Sequence, residues 1–316
     1  MGSGNLDFLL LIAGLIGLWL GTELTIGGAL AIAKRHGLSE FFVGLVVLSI
    51  GSDLPEIAVA VDAGIKGLMG QDASGVVVGT SIGSIVTQIG FVLGIGAVLS
   101  NLTLPRSFLL KHGAVLLIST LLLFLVAFDG HVSRIEGLIL ISFYALYVIV
   151  LVNADETPDH ERQTVAGGGV RSWILLAVGL TTVILGSEFT VSSVVNIAQS
   201  FHVSEVVVSV LIIGLGTSLP ELSISISAIL KKRTQMSVGN IIGSNILDTL
   251  LPIGIAAVIS AVHFERSLLL FDLPFILVLT AVVLALFIFR KGLGRKEGIL
   301  ILSLYGIYVL VKLMQF

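Results

Sequence analysis

Two short motifs place glutamate residues inside long apolar stretches of the chain. GSDLPE at residues 51–56 contains Glu56, and its near copy GTSLPE at 216–221 contains Glu221. An unpaired charge at the centre of a membrane costs roughly 2.5 kcal/mol or more. A glutamate in the first turn of a helix gains only about 0.3 to 1 kcal/mol from the helix dipole, which does not offset that cost. Both glutamates are therefore predicted to bind a cation.

Each motif also predicts an interruption in the helix that carries it. Proline fits best at the first position of a helix, whereas glycine commonly ends the preceding one. We expect one break near Gly51 with a restart at Pro55, and a second near Gly216 with a restart at Pro220. At each break the first half-helix would end in unpaired carbonyl groups, which are natural partners for a cation.

A second pair of motifs supplies further polar side chains. GTSIGSIVTQ at 79–88 and GNIIGSNILD at 239–248 each place two polar residues four positions apart, hence on one face of a helix. The side chains predicted to surround one cavity are those of Glu56, Glu221, Asp248, Gln88, Ser52, Thr217, Ser218, Ser84 and Ser244.

Every one of these side chains can present oxygen, the ligand that hard cations such as Ca²⁺ and Na⁺ prefer; Ca²⁺ takes about 6 to 8 oxygen atoms. Softer metals favour cysteine or histidine. The chain has no cysteine, and its six histidines fall at predicted span ends or in loops. The same composition argues against an intramembrane hydrolase, which needs a nucleophile with a base or a metal-bound water, because the all-oxygen cluster offers neither histidine nor cysteine.

Asp53 allows two interpretations. It lies just before Pro55, where aspartate commonly caps a helix, and Ser218, another good cap, occupies the equivalent place in the second motif. Alternatively, its carboxylate belongs to the ion site. The sequence leaves both open.

The composition indicates an all-α integral membrane protein. Of 316 residues, 56% are hydrophobic and 12% charged, and the mean hydropathy is +1.11. Such long apolar stretches exclude barrel strands, which alternate polar and apolar residues. The ten predicted spans are 7–33, 39–65, 74–99, 107–127, 135–152, 172–199, 205–230, 236–261, 267–289 and 298–314.

The motifs reveal an internal repeat. Their members are offset by 165 and 160 residues, which predicts one half at 1–152 and a second at 171–316, joined by a flexible cytoplasmic linker at 153–170. Each half holds five spans, an odd number, so the second enters the membrane inverted. Inverted repeats with divided helices are typical of secondary transporters, which bind their substrate at the midplane, and they argue against a passive cation channel.

Basic residues predict the orientation of the chain. Loops after odd-numbered spans contain 13 of the 17 lysines and arginines, which places these loops in the cytoplasm of a multi-pass cell-membrane protein and both termini outside. The residues counted on the cytoplasmic side are Lys34, Arg35, Arg106, Lys111, Arg162, Arg171, Lys231, Lys232, Arg233, Arg290, Lys291, Arg295 and Lys296.

The four motifs and the ten-span layout resemble the cation/Ca²⁺ exchanger superfamily, specifically its prokaryotic Na⁺/Ca²⁺ exchanger branch. The resemblance implies ion coordination by Glu56 and Glu221, and by the acid Asp248. It further implies contributions from the serines and threonine of the motifs, and from the backbone carbonyls of Ser49 and Gly214. It also implies a transporter without a cofactor, active as a monomer, whose partners are inorganic cations and membrane lipid, with no nucleic acid.

Two departures from the family pattern bear on coupling. Asp53 replaces a serine and Gln88 replaces the usual asparagine. An additional carboxylate changes the charge of the site, and with it the expected stoichiometry and response to pH.

The predicted function is electrogenic Na⁺/Ca²⁺ antiport by alternating access. A proton-coupled Ca²⁺ or cation antiporter is the alternative, and a cation channel ranks below it.

A further matching pair of acids lies in the first span of each half. Glu23 occurs in GTELT at 21–25 and Glu188 in GSEFT at 186–190, again offset by 165 residues. In the family, spans one and six slide against the other eight. These two glutamates are expected near a membrane interface or on a polar inner face, and a direct role in ion passage stays open.

Overall fold

A computed structural model describes residues 3–153, 169–200, 216 and 218–314. This part of the chain forms helices joined by short connections. They are α1 Ser3–His36, α2 Glu40–Ser52, α3 Leu54–Leu68, α4 Ser74–Leu99, α5 Arg106–Val126, α6 Arg134–Asn153, α7 Val170–Ser200, α8 Leu219–Leu230, α9 Thr234–Ile259, α10 Leu268–Arg290 and α11 Arg295–Met314.

Most of these helices are long and apolar enough to cross a membrane. Among the described residues eight pass that test, and the bent pair α2 and α3 makes a ninth span. Helix α8 is apolar but has only 12 residues. The rest of the predicted seventh span, and nearly all of the predicted linker at 153–170, lie outside the described residues. Ten spans in two inverted halves therefore stay a prediction.

Helices α1 and α7 pack against each other through close backbone contact. A Cβ atom added to Gly21 would lie 2.7 Å from the backbone nitrogen of Val183, and one added to Gly179 would lie 2.5 Å from that of Thr25. Small residues allow this approach, and in a membrane such packing is a main source of helix association. The first predicted spans of the two halves thus form one tightly packed pair.

Helices α4 and α9 form the centre of the molecule. The most apolar stretches of α4 and α9 are 72% and 83% buried, against 22% for the peripheral α6 and α11. Helix α9 lies directly on α2 because Gly239 and Gly243 have no side chain: a Cβ atom at either would collide with the carbonyl oxygen of Phe41 or Leu45. The helices that carry the second pair of motifs therefore occupy the protein interior.

The first motif divides its span as a proline predicts. Helix α2 ends at Ser52, α3 begins at Leu54 with Pro55 in its first turn, and the two are bent by 44°. The break falls at Asp53 (φ −87°, ψ 6°), two residues beyond the predicted Gly51, because the helical hydrogen bonds continue through the glycine. Ser218 has nearly the same backbone angles (φ −95°, ψ 10°) immediately before α8.

A short antiparallel ribbon adds an element that an all-α prediction omits. Strand β1 (His131–Val132) precedes α6, and β2 (Val262–His263) follows α9. His131 pairs with His263, and Val132 with Val262. Strands of two residues are too short to show an alternating pattern in the sequence. The ribbon joins the turn between α5 and α6 to the segment that leaves α9.

Candidate functional site

Four carboxylates lie together in the interior where α2, α3, α8 and α9 meet. Asp53, Glu221 and Asp248 are fully buried, and Glu56 is 5% exposed. They are close enough for their charges to repel one another. No ion pair among the described residues includes any of them. Buried charges without partners are strongly unfavourable, so bound cations or protons must neutralise this cluster.

The side chain of Asp53 points into this cluster. Its Oδ1 atom accepts a hydrogen bond from the Ser244 hydroxyl at 3.0 Å and one from the Ser52 hydroxyl at 3.3 Å. It makes no capping bond to the first turn of α3, and Ser218 likewise makes none to α8. Asp53 therefore occupies the N-cap position of α3 without a capping hydrogen bond, and its carboxylate contacts α9 instead.

Gln88 is held between two residues of α9. Its Nε2 donates to Asp248 Oδ2 at 3.0 Å, and its Oε1 accepts from Asn245 Nδ2 at 2.9 Å. In the reversed orientation the Gln88 oxygen would face the Asp248 carboxylate, and the Gln88 NH₂ group would face the Asn245 NH₂ group. Neither contact could be a hydrogen bond, so these two neighbours determine the orientation of the Gln88 amide. The amide oxygen expected to face an ion thus faces Asn245, and Gln88 instead supports Asp248.

Several acceptor atoms in the cluster have no hydrogen-bond partner among the described residues. They are Asp53 Oδ2, Glu56 Oε2, Asp248 Oδ1 and both carboxylate oxygens of Glu221, although the Glu221 carboxylate lies close to the Asp53 carboxylate and the Ser52 hydroxyl. Buried polar atoms are nearly always satisfied in proteins, so a group of orphan acceptors indicates where a cation would bind. No three Asp, Glu or His side chains of the described chain converge on one point. A cation here would therefore need hydroxyl, carbonyl or water oxygens as well.

The remaining predicted ligands differ in whether their oxygen atoms already take part in hydrogen bonds. Ser84 is buried on α4, and the buried Ser218 hydroxyl has no partner among the described residues. Ser49 donates its hydroxyl to the Leu45 carbonyl, and its own carbonyl accepts the Asp53 N–H at 3.0 Å. That carbonyl is thus already hydrogen-bonded, unlike the unpaired group predicted at the helix break. Thr217 and Gly214 lie outside the described residues.

Asn245 and Asn240 are two buried polar residues near the cluster that were not predicted from the sequence. Both are fully buried on α9; Asn240 donates to the Ser225 hydroxyl on α8 at 3.2 Å, and Asn245 reaches Gln88 on α4. The four-residue spacing that pairs Ser244 with Asp248 also pairs Asn240 with Ser244, whereas Asn245 lies on the neighbouring face of the helix. The usable signal was an asparagine directly after Ser244 in an otherwise apolar span.

The paired glutamates of the first spans lie away from the cluster. Glu23 on α1 forms an ion pair with Lys231 just beyond α8, at 2.6 Å. Glu188 on α7 is exposed on the surface of the described structure. Neither is brought to the four carboxylates.

The sequence matches a known family over nearly all of its length. The family model described as "Sodium/calcium exchanger protein" matches residues 6–153 and 171–314. An uncharacterised membrane protein of Methanocaldococcus jannaschii is 32% identical, with 94% of this chain and 95% of that protein covered. The sodium/calcium exchanger MaX1 of Methanosarcina acetivorans is 25% identical, with 97% and 98% covered.

The fold is similar to solved structures of an exchanger. The sodium-calcium exchanger NCX_Mj soaked with zero Na⁺ and Ca²⁺ superposes with a TM-score of 0.82 at 29% identity, covering 97% of this chain and 98% of that one. The form soaked with Na⁺ and Ca²⁺ gives a TM-score of 0.81. These matches confirm the resemblance stated from the motifs: the chain is a multi-pass membrane protein that belongs to the sodium/calcium exchanger family.

Proposed function

We propose that the protein is a secondary-active antiporter that exchanges Na⁺ for Ca²⁺ by alternating access and moves net charge in each cycle. Family membership supports exchange of Ca²⁺ against another cation. The structural observation that carries the proposal is the cluster of four buried carboxylates, contributed from both halves of the chain and without a basic partner among the described residues.

The charge of this cluster provides a reason for obligatory exchange. Closing the site around four unneutralised carboxylates would leave buried charges without partners, at a cost of several kcal/mol. The carrier is therefore expected to switch sides only when cations fill the site. Ca²⁺ and Na⁺ both bind carboxylate, hydroxyl and carbonyl oxygens, so they compete for the same groups. Competition for one site that closes only when loaded couples the two fluxes.

The ligands follow from the predicted motifs and the observed geometry. Glu56 and Glu221 are proposed as the principal ligands, because their carboxylates retain unpartnered oxygens in the described structure. Asp248 and Asp53 add charge, and Gln88 orients Asp248. The proposed neutral oxygen ligands are the side chains of Ser52, Ser84, Thr217, Ser218 and Ser244 and the carbonyls of Ser49 and Gly214.

The helix packing supports a transport cycle in which one pair of helices moves and the other helices stay in place. Helices α1 and α7 contact each other through backbone atoms at Gly21 and Gly179, the closeness that keeps two helices together. Their contacts with α8 include polar pairs, such as the hydroxyls of Ser227 and Thr22 at 3.2 Å. We propose that α1 and α7 slide as one unit past the helices that hold the carboxylates.

A proton-coupled Ca²⁺ antiporter is the second candidate, and Asp53 is the observation that favours it. Its carboxylate belongs to the buried cluster and keeps Oδ2 unpartnered among the described residues. A proton bound there would replace one charge of Na⁺ without changing the other ligands.

Ca²⁺ uptake into proteoliposomes tests the proposal. Liposomes loaded with Na⁺ are diluted into Na⁺-free medium, and parallel samples carry equal Na⁺ on both sides or an outward proton gradient. We expect uptake only with the outward Na⁺ gradient, and faster uptake when an ionophore sets the interior positive, because more positive charge leaves than enters. Uptake driven by protons alone would establish the second candidate, and uptake indifferent to both gradients would overturn exchange.

A further inference from the structure

The ribbon of β1 and β2 brings two histidines together at a surface that the carboxylate cluster does not include. His131 and His263 are direct partners in the antiparallel register, and both are exposed. The N–H of Phe264 donates to the carbonyl of Gly130 at 2.8 Å, which makes 130 and 264 a hydrogen-bonded pair. The two histidines next to them are therefore a non-hydrogen-bonded pair, the type in which opposite side chains are closest, with Cβ atoms about 4.5–5.5 Å apart.

Each histidine has an aspartate beside its Nδ1 atom. Asp129 Oδ1 lies 3.1 Å from His131 Nδ1, and Asp72 Oδ2 lies 3.8 Å from His263 Nδ1. The Asp129 carboxylate is within hydrogen-bond distance and can only accept, so it favours the His131 tautomer with the proton on Nδ1 and the lone pair on Nε2. Histidines that bind metals typically have this arrangement, with the second ring nitrogen donating to a carboxylate or carbonyl. The Asp72 carboxylate is too far from His263 for a hydrogen bond and acts on that ring only through its charge.

Both aspartates are themselves held in place. Asp129 Oδ1 also accepts the backbone N–H of His131 at 3.2 Å, and Asp72 Oδ1 accepts the backbone N–H of Ser74 at 3.0 Å. The Ser74 hydroxyl in turn accepts the backbone N–H of His263 at 3.0 Å, which ties the start of α4 to the ribbon.

One member of the histidine pair, His263, lines a cavity. The cavity has a volume of about 190 Å³ and is lined by residues at the end of α3, the start of α4 and the end of α9, including Gly67, Asp72, Ser260 and His263. The charge distribution predicts that this end of the molecule lies outside the cell. A metal ion here would be reached from the aqueous phase without passing the carboxylate cluster.

We infer that His131 and His263 form a second metal site, which takes a borderline divalent ion such as Zn²⁺, Ni²⁺ or Cu²⁺ through their two Nε2 atoms. Imidazole suits these metals and is a poor ligand for Ca²⁺. No third Asp, Glu or His of the described residues converges with the two rings, so water completes the coordination. The bound ion would cross-link the turn between α5 and α6 to the segment that leaves α9.

The first test is calorimetric titration of the purified protein with Zn²⁺ in saturating Ca²⁺, which keeps the carboxylate cluster occupied. We expect one equivalent to bind, with affinity reduced at least about tenfold in His131→Asn and in His263→Asn, since each removes one of two protein ligands. Asp129→Asn should also weaken binding by about tenfold, the usual effect of losing a group that orients a ligand. His36→Asn is the matched control. His36 is exposed, lies at the C-terminal end of α1 and does not belong to the ribbon.

A spectroscopic test reports the ligands directly. The electron paramagnetic resonance spectrum of bound Cu²⁺ should show coupling to two imidazole nitrogens in the parent and in His36→Asn, and to one in either ribbon variant. All three residues are exposed, and thermal unfolding midpoints verify that the variants fold. Absence of Zn²⁺ binding by the parent, or equal affinity in the parent and both ribbon variants, would overturn the site.

The site would also restrain transport. Helices α4 and α9 carry Gln88 and Asp248, and the ribbon is linked to both helices at this end. External Zn²⁺ should therefore slow Ca²⁺ uptake in the parent and in His36→Asn, and not in the double variant of His131→Asn with His263→Asn. Equal inhibition of parent and double variant would contradict this restraint.

Discussion

Gln88 on α4 donates its side-chain amide to Asp248 on α9 at 3.0 Å, although 160 residues separate them. That separation equals the offset of the second pair of motifs, and the two residues occupy the last position of GTSIGSIVTQ and GNIIGSNILD. The equivalent positions of the two repeated motifs thus contact each other in the centre of the molecule. One is an amide and the other an acid, so the Gln88 amide supplies a hydrogen-bond donor to a carboxyl group that lacks a basic partner in the described structure.

Replacing Gln88 with leucine should weaken Ca²⁺ binding. The substitution leaves Asp248 Oδ2 and Asn245 without their contacts to Gln88, and a lost buried hydrogen-bond partner costs about 1–3 kcal/mol, so the apparent Ca²⁺ affinity should fall about tenfold. The Ca²⁺ dependence of the initial uptake rate measures it. Thr80→Val on the same helix is the control, because Thr80 bonds only to the Val76 carbonyl of its own helix in the described contacts. Unchanged affinity in Gln88→Leu would contradict the role of the amide.

Replacing Asp53 with serine should change how uptake responds to pH and voltage. The residue at the equivalent break in the second half is Ser218, so serine suits this backbone. Loss of one of four carboxylates removes a group for which protons and cations compete. Acidification should therefore inhibit Asp53→Ser less than the parent, and the charge moved per Ca²⁺, obtained from the reversal potential, should change. Identical pH profiles and reversal potentials would show that Asp53 does not contribute to coupling.

Replacing Gly243 with alanine should destabilise the protein. The added Cβ would collide with the Leu45 carbonyl oxygen and force α9 away from α2, a type of overpacking that costs about 1–3 kcal/mol. The apparent melting midpoint in detergent measures the effect. Gly27→Ala on α1 is the matched control, since Gly27 is exposed and its added Cβ would meet no described atom within 4 Å beyond its chain neighbours and the backbone of its own helix turn. Equal midpoints for the two variants would contradict the observed packing of α2 and α9.

The residue types next to the prolines were enough to predict the acids of the buried cluster, but the contacts of these acids depend on the fold. Glu56 and Glu221 stand out because each is an acid next to a proline inside an apolar stretch. The role of Asp53 was undecidable, since a cap and a site residue have the same place in the sequence. Its contact with Ser244, 191 residues away, places the carboxylate in the buried cluster and not against the first turn of α3. The orientation of the Gln88 amide likewise depends on Asn245, which no local pattern connects to it.

The ribbon shows a different limit of the sequence. His131 and His263 lie in separate predicted loops, and two-residue strands have no period to detect. Only the register of the folded chain brings them together.

Two pairs of glutamates allow acids inside the buried cluster to be compared with acids outside it. Glu56 and Glu221 belong to the buried cluster, whereas Glu23 pairs with Lys231 and Glu188 is exposed. All four glutamates lie on predicted spans, so a substitution with glutamine at any of these positions removes one carboxylate from a similar helix. Glu23→Gln and Glu188→Gln should leave the apparent Ca²⁺ affinity within about twofold of the parent, because exposed ion pairs contribute roughly 0–1 kcal/mol. A large loss in either would give that residue a direct part in ion passage.

The central claim is that the buried carboxylates of both halves bind the exchanged ions, and Na⁺-driven Ca²⁺ uptake by Glu56→Gln and Glu221→Gln tests it most directly. Proteoliposomes with matched amounts of folded protein are compared for the parent, these two variants and the two control variants Glu23→Gln and Glu188→Gln. The account predicts that each of the first two variants loses at least about 100-fold in uptake, in line with 3–5 kcal/mol for removing one partner of a buried charge interaction, while the controls retain it. Uptake near the parent rate in Glu56→Gln or Glu221→Gln would contradict the account.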